Sequence, residues 1–299
     1  MKILNFGSLN LDYVYEVAHL VKPGETISAD RLTVNTGGKG LNQSIALAKA
    51  GANVFHAGAI GAADVEMLKG TLDKSGVNTD NIKILPGPGG HAIIQVDRDG
   101  RNSIVVFGGT NQQIDREYVD QVLQNFETGD IILLQNEISS IEYIMNRAYD
   151  KGMKIYLNPS PANSKLSQYP IGYVDMLILN EVEGEQLAGV KEPEGILDAL
   201  LSMYPEMKIV LTLGEKGSVY ADKNCRISRE IYRNKVVDTT AAGDTFTGYF
   251  MAAVSMGKDI AASLKYASAA ASISVSRLGA ACGIPSMDEV EEFLESYRE

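Results

Sequence analysis

Short apolar runs alternate with stretches of helical periodicity along most of the chain, and each run empties into a turn of glycine or polar residues. Lys2–Phe6, Asn53–Ile60, Ile131–Leu134, Lys154–Leu157, Met176–Leu179 and Ile209–Leu213 read as strands of this kind. Amphipathic helical segments stand between them at Asn42–Ala50, Asp64–Ser75, 115–126 and 139–151. Continuous apolar strands joined by helices pair in parallel, with both faces covered. The alternation therefore predicts an α/β fold, a doubly wound, mostly parallel sheet flanked by helices. Ligands of such sheets bind beyond the strand C-termini, so the polar turns there are the first places to look for chemistry.

Two segments break the alternation. Residues 13–35 carry the short strands Tyr13–Val17 and Leu32–Asn35 around a turn at Pro23-Gly24. Residues 84–108 contain a Pro-Gly-Pro-Gly-Gly turn, a strand at His91–Val96, a turn at Asp97–Gly100 and a strand at Asn102–Phe107, which is a hairpin pattern. Together, 13–36 and 88–108 predict a small β-sheet inserted into the α/β body as a lid or an oligomer surface; edge strands of the main sheet are the alternative. No repeat, low-complexity tract or linker divides residues 1–299, so one domain is expected.

Charge narrows the partners. A net charge of -11 without a long basic run argues against nucleic acid or an anionic membrane surface, and no apolar run reaches the roughly 18 residues of a membrane span. Any phosphate must then be attracted locally, by helix N-termini, single lysines and metal ions. The N-terminus reads as a strand rather than a signal peptide, and Cys225 and Cys282 form no metal or redox spacing, so a cytoplasmic protein is expected. His19, His56 and His91 make no metal constellation and read as surface or satisfied core residues.

Chemistry concentrates in Asp238–Gly257. Small residues lead into Asp244, and Phe246, Tyr249, Phe250 and Ala253 recur at helical spacing up to a stop at Gly257. Backbone N–H groups opening such a helix have no internal partners and suit an anion, while Asp244 on the same turn can take a proton from an alcohol. The plainer reading makes Asp244 only a favourable first-turn acid. Thr36–Ser44 is a second glycine-rich turn running into a helix, and it matches neither a Walker A loop nor a dinucleotide fingerprint. Gly7–Asp12 reads as a polar turn carrying Asn10 and Asp12, and Glu137 stands at another strand end. Asn180 with Glu183 has the spacing of a capping box. Ile260–Arg277 is an Ala/Ser-rich helix, and Met287–Arg298 a peripheral one.

Taken together, these stretches resemble the ribokinase-like (PfkB) carbohydrate kinase family over nearly the whole chain. Its two signatures are visible as Gly37-Gly-Lys-Gly-Leu-Asn-Gln43 and Asp238-Thr-Thr-Ala-Ala-Gly-Asp-Thr-Phe246. The resemblance implies that Asn10, Asp12, Gly38, Lys39, Asn42 and Glu137 bind a sugar. It implies further that Asp244 is the catalytic base and that Ala242 and Gly243 form the anion hole. By the same resemblance Asn180, Thr212, Gly214, Gly217, Gly243 and Ser268 contact ATP, and Glu183 holds Mg2+ indirectly. A monovalent cation, usually K+, would be held by Asp238, Thr240, Ser274, Arg277, Gly279 and Gly283, mainly through backbone carbonyls. Leu41, Gly89-Gly-His91, Phe107-Gly-Gly-Thr-Asn111 and Cys282-Gly283 depart from the common family pattern.

The activity implied is ATP-dependent phosphorylation of a pentose on its primary hydroxyl, D-ribose first, in a homodimer formed through the lid. A fructokinase or nucleoside kinase of the same family, or a non-catalytic sugar-binding regulator, are the alternatives.

Overall fold

The structure, a computed structural model, describes residues 1–297. The chain opens with β1 (Ile3–Phe6) and leaves the main sheet for β2 (Asn10–Glu16) and β3 (Arg31–Gly37). It returns through α1 (Lys39–Lys49), β4 (Val54–Gly61), α2 (Val65–Lys74) and β5 (Asn78–Leu85). The hairpin of β6 (Gly90–Val96) and β7 (Asn102–Phe107) follows. Then α3 (Arg116–Leu123), β8 (Ile131–Gln135), α4 (Ile141–Asp150), β9 (Lys154–Asn158) and β10 (Val174–Asn180) resume the alternation. Helices α5 (Glu181–Ala188) and α6 (Pro193–Met203) lead to β11 (Lys208–Thr212), which doubles back as β12 (Ser218–Ala221) and β13 (Arg226–Arg229). The C-terminal part is helical, with α7 (Ala242–Ser255), α8 (Ile260–Ser274), α9 (Ala280–Gly283) and α10 (Met287–Ser296).

Nine strands form the main sheet in the order β13-β12-β11-β10-β9-β8-β1-β4-β5. All neighbours from β5 to β11 pair in parallel, and β12 and β13 add antiparallel at one edge. Every residue of β1 and β8 is buried, as expected where helices cover both faces. One face packs on Leu41, Ile45, Tyr249, Phe250 and Leu264 of α1, α7 and α8. The other packs on Val119, Ile144, Met145 and Ile196 of α3, α4 and α6. The order reverses between β1 and β8, which opens a crevice at the C-terminal ends of those strands.

A second, four-stranded sheet has the order β3-β2-β6-β7. It is the inserted β-sheet expected from the two breaks in alternation, with β2 paired to β3 on one side and to β6 on the other.

Several boundaries differ from the sequence reading, each for a local reason. Asn10 and Asp12 lie on β2 rather than in a turn, because residues 10–16 find hydrogen-bonding partners on both flanks. Helix α1 begins at Lys39 rather than Asn42, with Gly38 at φ 93 as the residue that bends the chain into it. The Ala/Ser-rich helix stops at Ser274 rather than Arg277, where the Val275 carbonyl is taken by the N–H groups of Val237 and Asp238 at 2.7 and 3.1 Å. Helix α10 is not peripheral, since Val290 and Leu294 are buried in the same core as α8; its expected end, Arg298, lies outside the described residues.

Candidate active site

The site begins where β1 ends. Ser8 Oγ donates to Glu137 Oε2, and the same carboxylate oxygen accepts from the Lys39 N–H at 3.0 Å. Ser8 also receives the N–H groups of Gly40, on its Oγ at 3.2 Å, and of Leu41, on its carbonyl at 3.0 Å. The glycine-rich turn thus docks directly on the ends of β1 and β8. Glycine is required there by contact: a β-carbon on Gly40 would stand 2.3 Å from Ser8 N, closer than any side chain allows.

Asn10 and Asp12 reach the same place from β2. Asn10 Oδ1 accepts from Asn111 Nδ2 at 2.7 Å, and Asn111 Oδ1 accepts from the Leu9 N–H at 3.0 Å. Asn111, 1% exposed, therefore orients Asn10, a role that sequence reasoning did not assign. Asp12 lies against Gly37, whose missing side chain makes room for its carboxylate. Burial, reinforced by the nearby Glu137 charge, raises the Asp12 pKa to about 6. Burial also raises that of Glu137.

Asp244 arrives on the first turn of α7. Ala241 at φ 60 turns the chain just before the helix, a left-handed conformation that costs an alanine about 1–2 kcal/mol and aims the helix N-terminus at the crevice. The Ala242 N–H, expected to share in the anion hole, donates to Thr239 O at 3.2 Å. Among the described residues the N–H groups of Gly243 and Asp244 take no backbone acceptor, and they are the free donors of this helix start. Asn42 Nδ2 and Gln43 Nε2 donate to the two oxygens of Asp244 at 3.0 and 2.9 Å. Asn42 Oδ1 is buried without a protein partner, an acceptor left for a ligand hydroxyl.

Lys39 stands among three carboxylates. Asp244, then Glu137 and Glu183, raise its pKa against the opposing effect of burial, so the ammonium stays charged. It lines a cavity of about 210 Å³ together with Asn180, Glu183, Thr212, Gly243 and Asp244. Asn180 and Glu183 form the capping box expected of them, with Glu183 Oε2 accepting the Asn180 N–H at 2.9 Å and Asn180 Oδ1 the Glu183 N–H at 3.0 Å. Gly214, Gly217 and Ser268 are not among the residues lining this cavity. Gly217 is instead required by packing, because a β-carbon there would meet Arg229 O at 2.0 Å. Ser268 is buried within α8.

The segment around Asp238 is cross-tied to the one before α9. Asp238 Oδ1 accepts from the N–H and hydroxyl of Thr240 at 2.9 and 2.6 Å, and Oδ2 accepts from the Gly279 N–H at 2.9 Å. A β-carbon on Gly283 would lie 3.5 Å from the Ser274 carbonyl oxygen. The Arg277 guanidinium pairs with Glu289, which leaves that residue only its backbone to offer a ligand. Among the described residues no cluster of three His, Cys, Asp or Glu side chains forms a metal cage.

Comparison with known proteins extends over the whole fold. A model of the "pfkB family carbohydrate kinase" matches residues 1–287. The chain is 35% identical to a ribokinase of Bacillus subtilis over 291 residues, 96% of this chain and 97% of that one. The ribokinase structure of Thermotoga maritima superposes with a TM-score of 0.88 at 34% identity, covering 98% of this chain and 99% of that one. The Arabidopsis thaliana ribokinase complexed with ribose and ATP gives 0.86 at 31% identity, covering 98% of each chain.

Proposed function

The chain belongs to the pfkB family of carbohydrate kinases, and from that premise we propose that it transfers the γ-phosphoryl group of ATP to the primary hydroxyl of D-ribose. Relatives named ribokinase at 31–35% identity support the sugar. The observation that carries the reading is the juxtaposition at the start of α7. One carboxylate, Asp244, shares its turn with the free N–H groups of Gly243 and Asp244 and is hydrogen-bonded to Asn42 of the glycine-rich turn. An alcohol proton acceptor and an anion cradle on one turn are what phosphoryl transfer to a sugar needs.

In this reading Asn10, Asp12, Asn42 and Glu137 meet the sugar hydroxyls, with Gly38 letting the sugar approach the backbone. A polyol in water loses its hydration on entry, so each hydroxyl needs a fixed partner. Asp244 removes the proton from the primary hydroxyl, a contribution of about 10²–10⁴-fold for general base catalysis. Gly243, with the Lys39 ammonium, steadies the charge on the transferring group. The adenine nucleotide runs from this point past Glu183 and Asn180 toward Thr212, with Gly214, Gly217 and Ser268 further along.

Two cations belong to the proposal. Glu183, already tied to Asn180 through one oxygen, suits an indirect hold on magnesium, which takes few protein ligands beside phosphates and offsets their charge when bound. The cross-tied loop of Asp238, Thr240 and Gly279, with the Ser274, Arg277 and Gly283 backbone, suits a monovalent cation held by carbonyl oxygens. Its place beside α7 would keep the Gly243 N–H oriented. The enzyme would act in the cytoplasm as a homodimer joined through the second sheet, which serves as the lid.

ADP release from Mg·ATP, measured against D-ribose, 2-deoxyribose, fructose, other pentoses and nucleosides with and without potassium, tests this directly. The expected result is strongest turnover on ribose, raised by potassium. Strongest turnover on another sugar would move the error to the lid, and silence across the panel with sugar binding retained would reverse the assignment as an enzyme.

A further inference from the structure

Behind Asp244 lies a line of buried carboxamides that none of the roles above uses. Gln43, Gln135 and Asn5 are all 0% exposed. Gln43 Nε2 donates to Asp244 Oδ1 at 2.9 Å and to Asn158 Oδ1 at 3.1 Å, while its Oε1 accepts from Gln135 Nε2 at 2.7 Å. Gln135 Nε2 also donates to Asn5 Oδ1 at 2.9 Å. Asn5 Nδ2 donates to Gly40 O at 2.7 Å and to Ser44 Oγ at 2.8 Å, and Ser44 in turn meets His56 Nδ1.

The direction of this line follows from its two ends. Asn158 Nδ2 donates to Ile178 O at 2.8 Å, and Asn5 Nδ2 to Gly40 O. Backbone carbonyls only accept, so each end amide must turn its oxygen inward. Asn158 then presents an acceptor to Gln43, and Asn5 an acceptor to Gln135. Gln43 is thereby compelled to offer N–H, not C=O, to Asp244. Turning its amide over would set oxygen against the Asp244 and Asn158 oxygens and break the bond from Gln135.

We propose that Gln43 is a positioning residue for the catalytic carboxylate, held in its donating orientation by Asn158, Gln135 and Asn5, and that it assigns the two oxygens of Asp244 different tasks. The proposal rests on the reading of Asp244 as base. Oδ1 stays anchored by Gln43 throughout. Oδ2, bonded to Asn42 in this structure, becomes the base when the Asn42 amide turns to a sugar hydroxyl.

The test compares the single-turnover rate of phosphoryl transfer and the sugar and ATP KM in the wild type and in Gln43→Met, Gln135→Met and Asp244→Asn. Gln43→Met keeps the bulk and removes the donor. It is expected to lower the rate about 10- to 100-fold with sugar and ATP KM within about threefold, so that the loss falls on the chemical step and not on binding. Gln135→Met removes the donor to the Gln43 oxygen while Asn158 still holds its nitrogen, and should lower the rate by less, again with KM retained, which keeps the question answerable if Gln43→Met does not fold. An unchanged rate, or a rate loss matched by an equal rise in sugar or ATP KM, in both variants would make Gln43 merely structural and overturn the proposal. Asp244→Asn separates the premise: it should bind sugar yet lose turnover by orders of magnitude, and near-normal turnover there would overturn the base reading itself.

Discussion

Asp12 and Glu137 show how two carboxyl groups in one buried corner alter each other. Burial raises Asp12 to about 6, with the Glu137 charge adding to the rise. If the ionised form accepts from sugar hydroxyls, kcat/KM for the sugar falls as pH drops through about 6, because that ratio reports groups of the free enzyme. The sign of the coupling is testable. Glu137→Gln removes the like charge, which stabilises the ionised form of Asp12, so the limb should move to lower pH. A limb that stays in place or rises would show that Glu137 does not act on Asp12. This reading is separable from that of Gln43, whose effect falls on the bound complex and on the single-turnover rate.

At the scale of elements, the proposed catalytic arrangement depends on how closely α7 approaches α1. Asp244 rides on the first and its partners Asn42 and Gln43 on the second, so their hydrogen bonds require a narrow gap. Gly248 provides it: a β-carbon there would lie 2.4 Å from Ala46 Cβ and 2.9 Å from Leu47 N. Gly248→Ala gains roughly 1 kcal/mol of helix propensity but overpacks against backbone that cannot yield, at about 1–3 kcal/mol. The expected net result is a lower Tm and a lower kcat, with Ala46→Gly in the same chain restoring part of both. A variant as stable and active as the wild type would show that the helices are free to part without disturbing Asp244.

For the whole molecule, the second sheet leaves an apolar surface uncovered. Ile104, Val105, Val106 and Phe107 of β7 are 53, 65, 63 and 49% exposed, and Ile93 of β6 is 43% exposed. An apolar outer strand with an unpaired edge invites a second chain. Sedimentation should give twice the 32.3 kDa chain mass, and Val105→Glu should shift it toward the monomer while leaving the α/β body folded by circular dichroism. A wild-type monomer would remove the lid-joined dimer from the proposed function.

Local sequence carried much of this molecule on its own. The continuous apolar runs and the helical patterns between them named the α/β class, the breaks at 13–36 and 88–108 located the second sheet, and Asp238–Gly257 marked the turn that bears Asp244. Polar edge strands escaped it, as in β5 with Asn-Thr-Asp-Asn-Ile-Lys-Ile-Leu and β13 with Arg-Ile-Ser-Arg, because their pairing comes from neighbours rather than from an apolar pattern. Also invisible was the support beneath the site, since Asn111, Gln135, Asn158 and Asn5 look like ordinary turn or strand residues until Asn111 meets Asn10, Gln135 and Asn158 meet Gln43, and Asn5 meets Gln135. Gln43 and Asp244 stand 201 positions apart. Covalent order determines which donors and acceptors a chain carries, but the orientation of a buried amide depends on every partner around it, and only the folded sheet brings those partners together.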